Sequence, residues 1–305
     1  LMLNLPFRCN YKCKKCCNRQ RETVEEGTPL SIDEITRLIH EAKDLGIRVF
    51  VIAGEGEPLL DKNIMQIVRE VDKAGLIPYI FTNGSLLDNR TIRYMKEHNA
   101  SLVINLDSLD RKTYENLSGV EESFEIITKN LDTVRGVFSD TFSEITGHSL
   151  RRIAINTVVS QHNINELQNI EDFCGDDFAL VYNVPIIIGR AIGNSSFKNL
   201  GRIEKKIKNY SEKNIPLGTT SNGVWCAYMR NGISIGARGE ILTCAYCLES
   251  ASNLGNIRGQ GLKSCIGKAN ISVDTFYGMK GHSRCILRHP DYNYFIGELK
   301  SKNKR

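Results

Sequence analysis

Short runs rich in Ile, Val and Phe alternate with amphipathic helical stretches from the first residue to about residue 190, and this exchange narrows the possible folds more than any other feature. Strands are expected at 2–7, 48–53, 77–81, 102–106, 152–159 and 178–188. Between the first two, Ser31 and Glu34 have the spacing of a capping box, in which each side chain bonds the other residue's backbone N–H. Ile35, Leu38, Ile39, Ala42 and Leu45 then fall on one helical face until Gly46 stops the helix. Further helices are expected at 64–74, 91–98, 123–138 and 164–173. Strands joined through helices pair in parallel by right-handed crossovers. Six of them fall two βα units short of a closed eight-stranded barrel, so the expected class is α/β, an open, partial (β/α)6 TIM-like barrel over residues 1–195.

Beyond residue 190 the texture changes. Residues 189–199 are rich in Gly, Ser and Asn and read as a connector, with a basic helix expected at 200–213 inside a linking segment, 196–222. A hairpin over 233–243, with Gly236 and Gly239 flanking its turn, belongs to a small cysteine-rich C-terminal domain, 223–305. The chain has 305 residues, and its 40 Lys+Arg against 35 Asp+Glu give a net charge of +5, much of that excess in Lys300, Lys302, Lys304 and Arg305. That is a solvated tail, not a nucleic-acid surface. No run of 18 apolar residues occurs, and residues 1–7 lack the flanks of a secretory signal, so a soluble cytoplasmic protein is expected, with neither membrane nor nucleic acid as partner.

Ten cysteines are unusual for such a chain. A reducing compartment and a large core argue for metal or catalysis in place of disulfides. Cys9, Cys13, Cys16 and Cys17 stand at the front, Cys226, Cys244, Cys247, Cys265 and Cys285 at the back, and Cys174 alone between them at a helix end, where it reads as a core residue. Cys9, Cys13 and Cys16 form a C-x3-C-x2-C run in the loop after the first strand, at the mouth where parallel barrels keep their chemistry. Three thiolates suit a four-iron cluster that leaves one iron open, whereas structural zinc wants four protein ligands. A zinc site or a redox pair remains the alternative for these residues taken alone.

The C-x3-C-x2-C loop, with Gly54-Glu55-Gly56-Glu57-Pro58 after the second strand, Thr82-Asn83-Gly84 after the third, Asp107-Ser108 after the fourth and Asn156 in the fifth, resembles the radical S-adenosylmethionine superfamily over residues 1 to about 190. The resemblance implies a [4Fe–4S] cluster on Cys9, Cys13 and Cys16, with S-adenosylmethionine on its open iron. It makes Gly54, Glu55, Gly56, Glu57, Thr82, Asn83, Asp107, Ser108 and Asn156 candidate cosubstrate contacts. Electron transfer to the sulfonium would then release a 5′-deoxyadenosyl radical that removes a hydrogen atom from an unactivated carbon. The family usually carries an aromatic residue before the third cysteine; here that position is Lys15, and Cys17 follows directly, so the third ligand is Cys16 or, as the alternative, Cys17.

Cys226, Gly239, Cys244 and the segment Leu254-Gly255-Asn256-Ile257-Arg258 resemble the opening of a twitch or SPASM extension, which implies an auxiliary cluster. Two clusters would need seven thiols and only five occur, so one auxiliary [4Fe–4S] cluster is expected, on Cys226, Cys244, Cys265 and Cys285. Cys247 is then spare, as the hydrogen donor of a radical epimerase; a competing assignment makes Cys247 a ligand and Cys265 free. The resemblance implies a small-molecule substrate, a sugar or aminoglycoside, ahead of a peptide, and an electron donor such as flavodoxin or ferredoxin. A dehydrogenase is the alternative reaction, and a zinc-binding interaction protein the alternative outside enzymes.

Overall fold

The six expected strands form, and more strands join them. In chain order the strands are β1 (Met2–Leu3), β2 (Val49–Ile52), β3 (Ile77–Thr82), β4 (Ser101–Asn105), β5 (Ser143–Ile145), β6 (His148–Leu150), β7 (Ile153–Val158), β8 (Ala179–Asn183), β9 (Ser234–Ile235), β10 (Glu240–Leu242) and β11 (Asn253–Asn256). The helices are α1 (Ile32–Asp44), α2 (Ile64–Lys73), α3 (Asn89–Glu97), α4 (Arg111–Ser118), α5 (Ser123–Val137) and α6 (Leu167–Cys174). The structure, a computed structural model, describes residues 1–18, 27–140, 143–145, 148–186, 189–197, 201–203, 205–207, 232–242, 244 and 253–266.

Among these residues one sheet has the order β11-β10-β9-β1-β2-β3-β4-β7-β8. From β9 to β8 every pairing is parallel, and the sheet does not close. The period of two along each strand divides its faces. Leu3, Phe50, Ile52, Ile80, Leu102, Ile104, Ile153 and Ile155 enter the core beneath the helices, whereas Val51, Tyr79, Phe81, Asn105 and Asn156 alternate to the other face. The Ser31–Glu34 capping box is formed, and Ile35, Leu38, Ile39 and Ala42 of α1 are buried in the same core. Each large apolar side chain withdrawn from water there stabilises the fold by about 1.5–3 kcal/mol.

Three features depart from the sequence expectation. Helix α4 was not expected, although Asp110 accepts the Thr113 N–H at its start and Gly119 takes the left-handed conformation at its end. The β5–β6 hairpin, a separate two-stranded sheet, was not expected either. Regular β1 is shorter than 2–7, but its ladder continues irregularly: Ala53 donates to the Leu3 carbonyl, Glu55 to Leu5 and Glu57 to Arg8. Of the expected helix at 200–213, residues 201–203 and 205–207 are helical and the rest lies outside the described residues.

The C-terminal hairpin β9–β10 is formed, and its first strand pairs in parallel with β1, Met2 opposite Ser234 and Leu3 opposite Ile235. The described strands of this region therefore extend the barrel sheet. Arg258 ties them to α1: its guanidinium donates to both Glu34 carboxylate oxygens, at 2.5 and 3.0 Å, and to the Thr28 and Pro29 carbonyls. The helical turn at 262–266 follows, and the Leu262 N–H donates to the Glu41 carboxylate.

Candidate active site at the strand ends

The cysteine loop leaves β1 at the end of the sheet where the parallel strands deliver their C termini. Backbone packing holds it on several sides. The Lys12 and Lys14 N–H groups donate to the Ser118 and Leu117 carbonyls at the end of α4, and the Lys14 ammonium reaches Asn116. Gly119 lies against this stretch with φ +69°, and a Cβ there would meet the Lys12 carbonyl oxygen at 2.7 Å. Opposite, Gly189 has φ +60°, and a Cβ would meet the Cys16 and Cys17 carbonyl oxygens at 2.6 and 2.8 Å, while the Arg190 N–H donates to Cys16. A side chain at either glycine would push the loop off its seat. Gly56 likewise lets its segment lie directly on the Arg8 backbone. Neither Gly119 nor Gly189 stood out in the sequence, because a glycine that ends a helix and one inside a Gly/Ser-rich connector look alike whether or not they touch a functional loop.

Cys9, Cys13 and Cys16 come within electrostatic reach of one another. Burial raises the Cys9 thiol above its ordinary value, while the Tyr11 N–H donates to its sulfur at 3.4 Å. Burial also pushes Cys13 up to about 12, with Lys15 acting in the opposite direction. Cys17 turns its Sγ toward the Asn18 side-chain oxygen, 3.8 Å away. Among the described residues no three His, Cys, Asp or Glu side chains gather around one point as ligands of a single ion. A cluster takes its protein ligands one per iron, and this set, three soft donors on one loop beside an open strand-end mouth, fits such a cluster with one iron left over.

The other candidates line the same rim, with different partners. Glu57 is buried; its Oε1 accepts the Thr82 hydroxyl at 2.7 Å and the Leu59 N–H at 3.1 Å, and its Oε2 accepts the Asn83 N–H at 2.7 Å. Burial raises its pKa against these three donors. The Asn83 amide donates to Asn10 in the cysteine loop, so the glycine-rich loop, the Thr82-Asn83 turn and the cysteine loop form one hydrogen-bonded unit. Gly54, with φ +62°, and Glu55 sit in the same turn, Glu55 buried. Asn156 bridges two strands, donating to Asn105 at 2.6 Å and accepting from Asn183 at 2.5 Å. Asp107 faces the cysteine loop, where its Oδ1 holds the Lys15 ammonium and the Val158 N–H. Ser108 is turned away: fully buried, it donates to the Glu166 carboxylate at 2.7 and 2.9 Å and fastens β4 to α6. The sequence position of Ser108 suits a ligand contact, yet its hydroxyl is committed within the fold.

The radical SAM superfamily model matches residues 3–149, which spans the cysteine loop, the glycine-rich turn and the Asp107 rim just described. Residues 3–149 of this chain are a domain of the radical S-adenosylmethionine superfamily. Among curated relatives, the GTP 3′,8-cyclase of Clostridium acetobutylicum is 28% identical over 281 residues, 90% of this chain and 82% of that protein. The AdoMet-dependent heme synthase of Methanosarcina barkeri is 26% identical over 189 residues, 62% of this chain and only 50% of that protein. Among solved structures, Streptococcus suis SuiB bound to S-adenosylmethionine superposes with a TM-score of 0.66 at 16% identity, covering 95% of this chain and 70% of that one. Native anSMEcpe with bound AdoMet and Kp18Cys peptide gives 0.68 at 13% identity over 99% and 95% of the two chains, a likeness of fold.

The back cysteines lie beyond the matched domain. Cys226, Cys247 and Cys285 lie outside the described residues. Cys244 is buried just beyond β10. Cys265 is wholly buried in the main hydrophobic core, together with Leu254, Leu262 and α1 residues. Its Sγ lies 3.4 Å from the Gly261 carbonyl oxygen, a weak contact one turn back in the helix. Cys174, expected in the core, is there. No helix among the described residues is long and apolar enough to cross a membrane.

Proposed function

We propose that this protein binds a [4Fe–4S] cluster through Cys9, Cys13 and Cys16, binds S-adenosylmethionine between the Gly54–Glu57 turn and Asn156, and abstracts a hydrogen atom from an organic substrate. One observation carries the reading: the three thiols, the Glu57–Thr82–Asn83 network and Asp107 meet on one rim at the strand ends. When bound, cluster and cosubstrate supply a 5′-deoxyadenosyl radical. The chain's own groups bind and orient. Glu57 Oε2 has a lone pair left for an ammonium, and the asparagine bridge keeps an amide array across β4, β7 and β8 for a neutral polar ligand. Single electrons would come from a flavodoxin- or ferredoxin-like donor.

Within that chemistry, epimerisation of a sugar- or aminoglycoside-type substrate is the reaction we assign, with Cys247 returning a hydrogen atom from its weak S–H bond and the resulting thiyl radical taking one electron from the donor protein and a proton from solvent. A second reading, oxidation, is favoured by the seat of Cys265. The core seat of Cys265 supports leaving it out of the auxiliary cluster, and Cys226, Cys244, Cys247 and Cys285 would then fill four ligand positions with no spare donor. The auxiliary cluster then accepts the substrate electron. Cys247→Ala separates the two: an epimerase forms 5′-deoxyadenosine without epimer, whereas an oxidase variant loses auxiliary iron. The underlying reading is tested by iron and sulfide content after anaerobic reconstitution. About eight irons falling to about four in a Cys9/Cys13/Cys16→Ala variant supports it; zinc in place of iron overturns it.

A further inference from the structure

Lys15 stands between Cys13 and Cys16. Its side chain is only 13% exposed, although an ammonium on a flexible stem ordinarily reaches water. It is held at 2.5 Å by Asp107 Oδ1, and that carboxylate is 9% exposed. Asp107 is itself fixed from the β7 side, where its Oδ1 also accepts the Val158 N–H at 2.9 Å and its carbonyl accepts the Asn163 amide at 2.6 Å. The cation is therefore anchored to the sheet by a partner that cannot follow it outward, close enough to Cys13 to act on its thiol. A buried ion pair adds little to stability by itself, so its placement calls for another explanation.

Resting on the cluster assignment above, we propose that Lys15 is a positioning residue that seats the cysteine loop on the end of β4 and, through its fixed charge, raises the reduction potential of the cluster held by Cys9, Cys13 and Cys16. The physics is that of any cation beside a redox centre in a medium of low dielectric: reduction adds negative charge, which a nearby ammonium favours and a nearby carboxylate opposes. The two charges act with opposite sign, and the lysine lies on the cysteine loop while its partner lies on the strand behind it. Lys15→Met and Lys15→Gln remove the cation, and Lys15→Arg keeps it.

The test is an anaerobic redox titration of the reconstituted full chain, followed by electron paramagnetic resonance. The signal read is the one lost in the Cys9/Cys13/Cys16→Ala variant. The expected result is a more negative midpoint for Lys15→Met, with about a tenfold lower reduced-to-oxidised ratio at fixed potential, equal to 59 mV for one electron. Lys15→Arg should stay near wild type. Should Lys15→Met fail to take up iron, Lys15→Gln, neutral but able to hydrogen-bond Asp107, decides by the same negative shift. A wild-type midpoint in Lys15→Met, or in Lys15→Gln when that variant decides, overturns the role of the charge while leaving the cluster assignment standing. A wild-type protein without iron overturns both.

Discussion

The front cysteines and Cys265 are the same residue type in opposite settings. Cys9, Cys13 and Cys16 lie on an irregular loop that contributes little apolar surface, and they are held by backbone contacts to α4, to the turn after β2 and to the segment at Gly189. Cys265 sits on a helical turn with no exposure, surrounded by aliphatic side chains, its Sγ in weak contact with a carbonyl one turn back. A thiol that must meet a cofactor has to be aimed by its backbone, whereas a thiol that fills space is placed by its neighbours. An iron count on variants of each set tests that difference.

The comparison breaks most sharply on single substitutions. Cys13→Ala is expected to abolish S-adenosylmethionine cleavage and the iron of the front cluster. On the oxidation reading Cys265→Ala should keep full iron content and lose about 1 kcal/mol to a small cavity, about 2 °C in Tm, whereas on the epimerase reading it loses auxiliary iron. Loss of iron in the second variant would place Cys265 back among the ligands. Next come the glycine seats. Gly119→Ala introduces a Cβ against the Lys12 carbonyl at positive φ and should cost about 2–3 kcal/mol and lower iron uptake. Gly46→Ala, also at positive φ but with nothing within 4 Å, should cost only about 1 kcal/mol and leave iron unchanged. Equal iron loss in both would mean that the seat is unimportant. Thr82→Val removes one of three donors to buried Glu57, about 1–2 kcal/mol, and should raise the S-adenosylmethionine Kd several-fold.

The smallest effect concerns the tie between α1 and the C-terminal strands. The Arg258 guanidinium lowers Glu34 to about 2, from an ordinary value of 4.5. A depressed carboxylate stabilises above its unfolded value, so the tie is complete above about pH 5 and is lost as pH falls toward 2. Because the pair is solvated, Glu34→Gln should cost well under 1 kcal/mol at pH 7. The Tm difference between variant and wild type should vanish in acid.

Much of the barrel was legible in the sequence because local chemistry and the fold agree there. The Ser31–Glu34 box, the α1 stripe and the six apolar runs all report contacts within one βα unit. Helix α4 went unrecognised because its 8 residues carry few apolar positions, although Asp110 and Gly119 mark its ends. The rim motifs were located, but the inward commitment of Ser108 depends on Glu166, 58 residues away, which no local pattern encodes. The same holds for the cation at Lys15: the sequence shows a departure from the usual aromatic residue, while its partner Asp107 is 92 residues distant.

The parallel pairing of β1 with β9 also bears on the order of folding. Strand β1 gains one neighbour, β2, about 50 residues further along the chain and its other neighbour only about 230 residues along. Closing so long a loop is entropically slow relative to the βα units between, which form from near-neighbour contacts. The strand that launches the cysteine loop is therefore completed last, and until then it presents an open edge. A chain stalled or cut before residue 234 would keep every front cysteine, yet its first strand would stay paired on one side only.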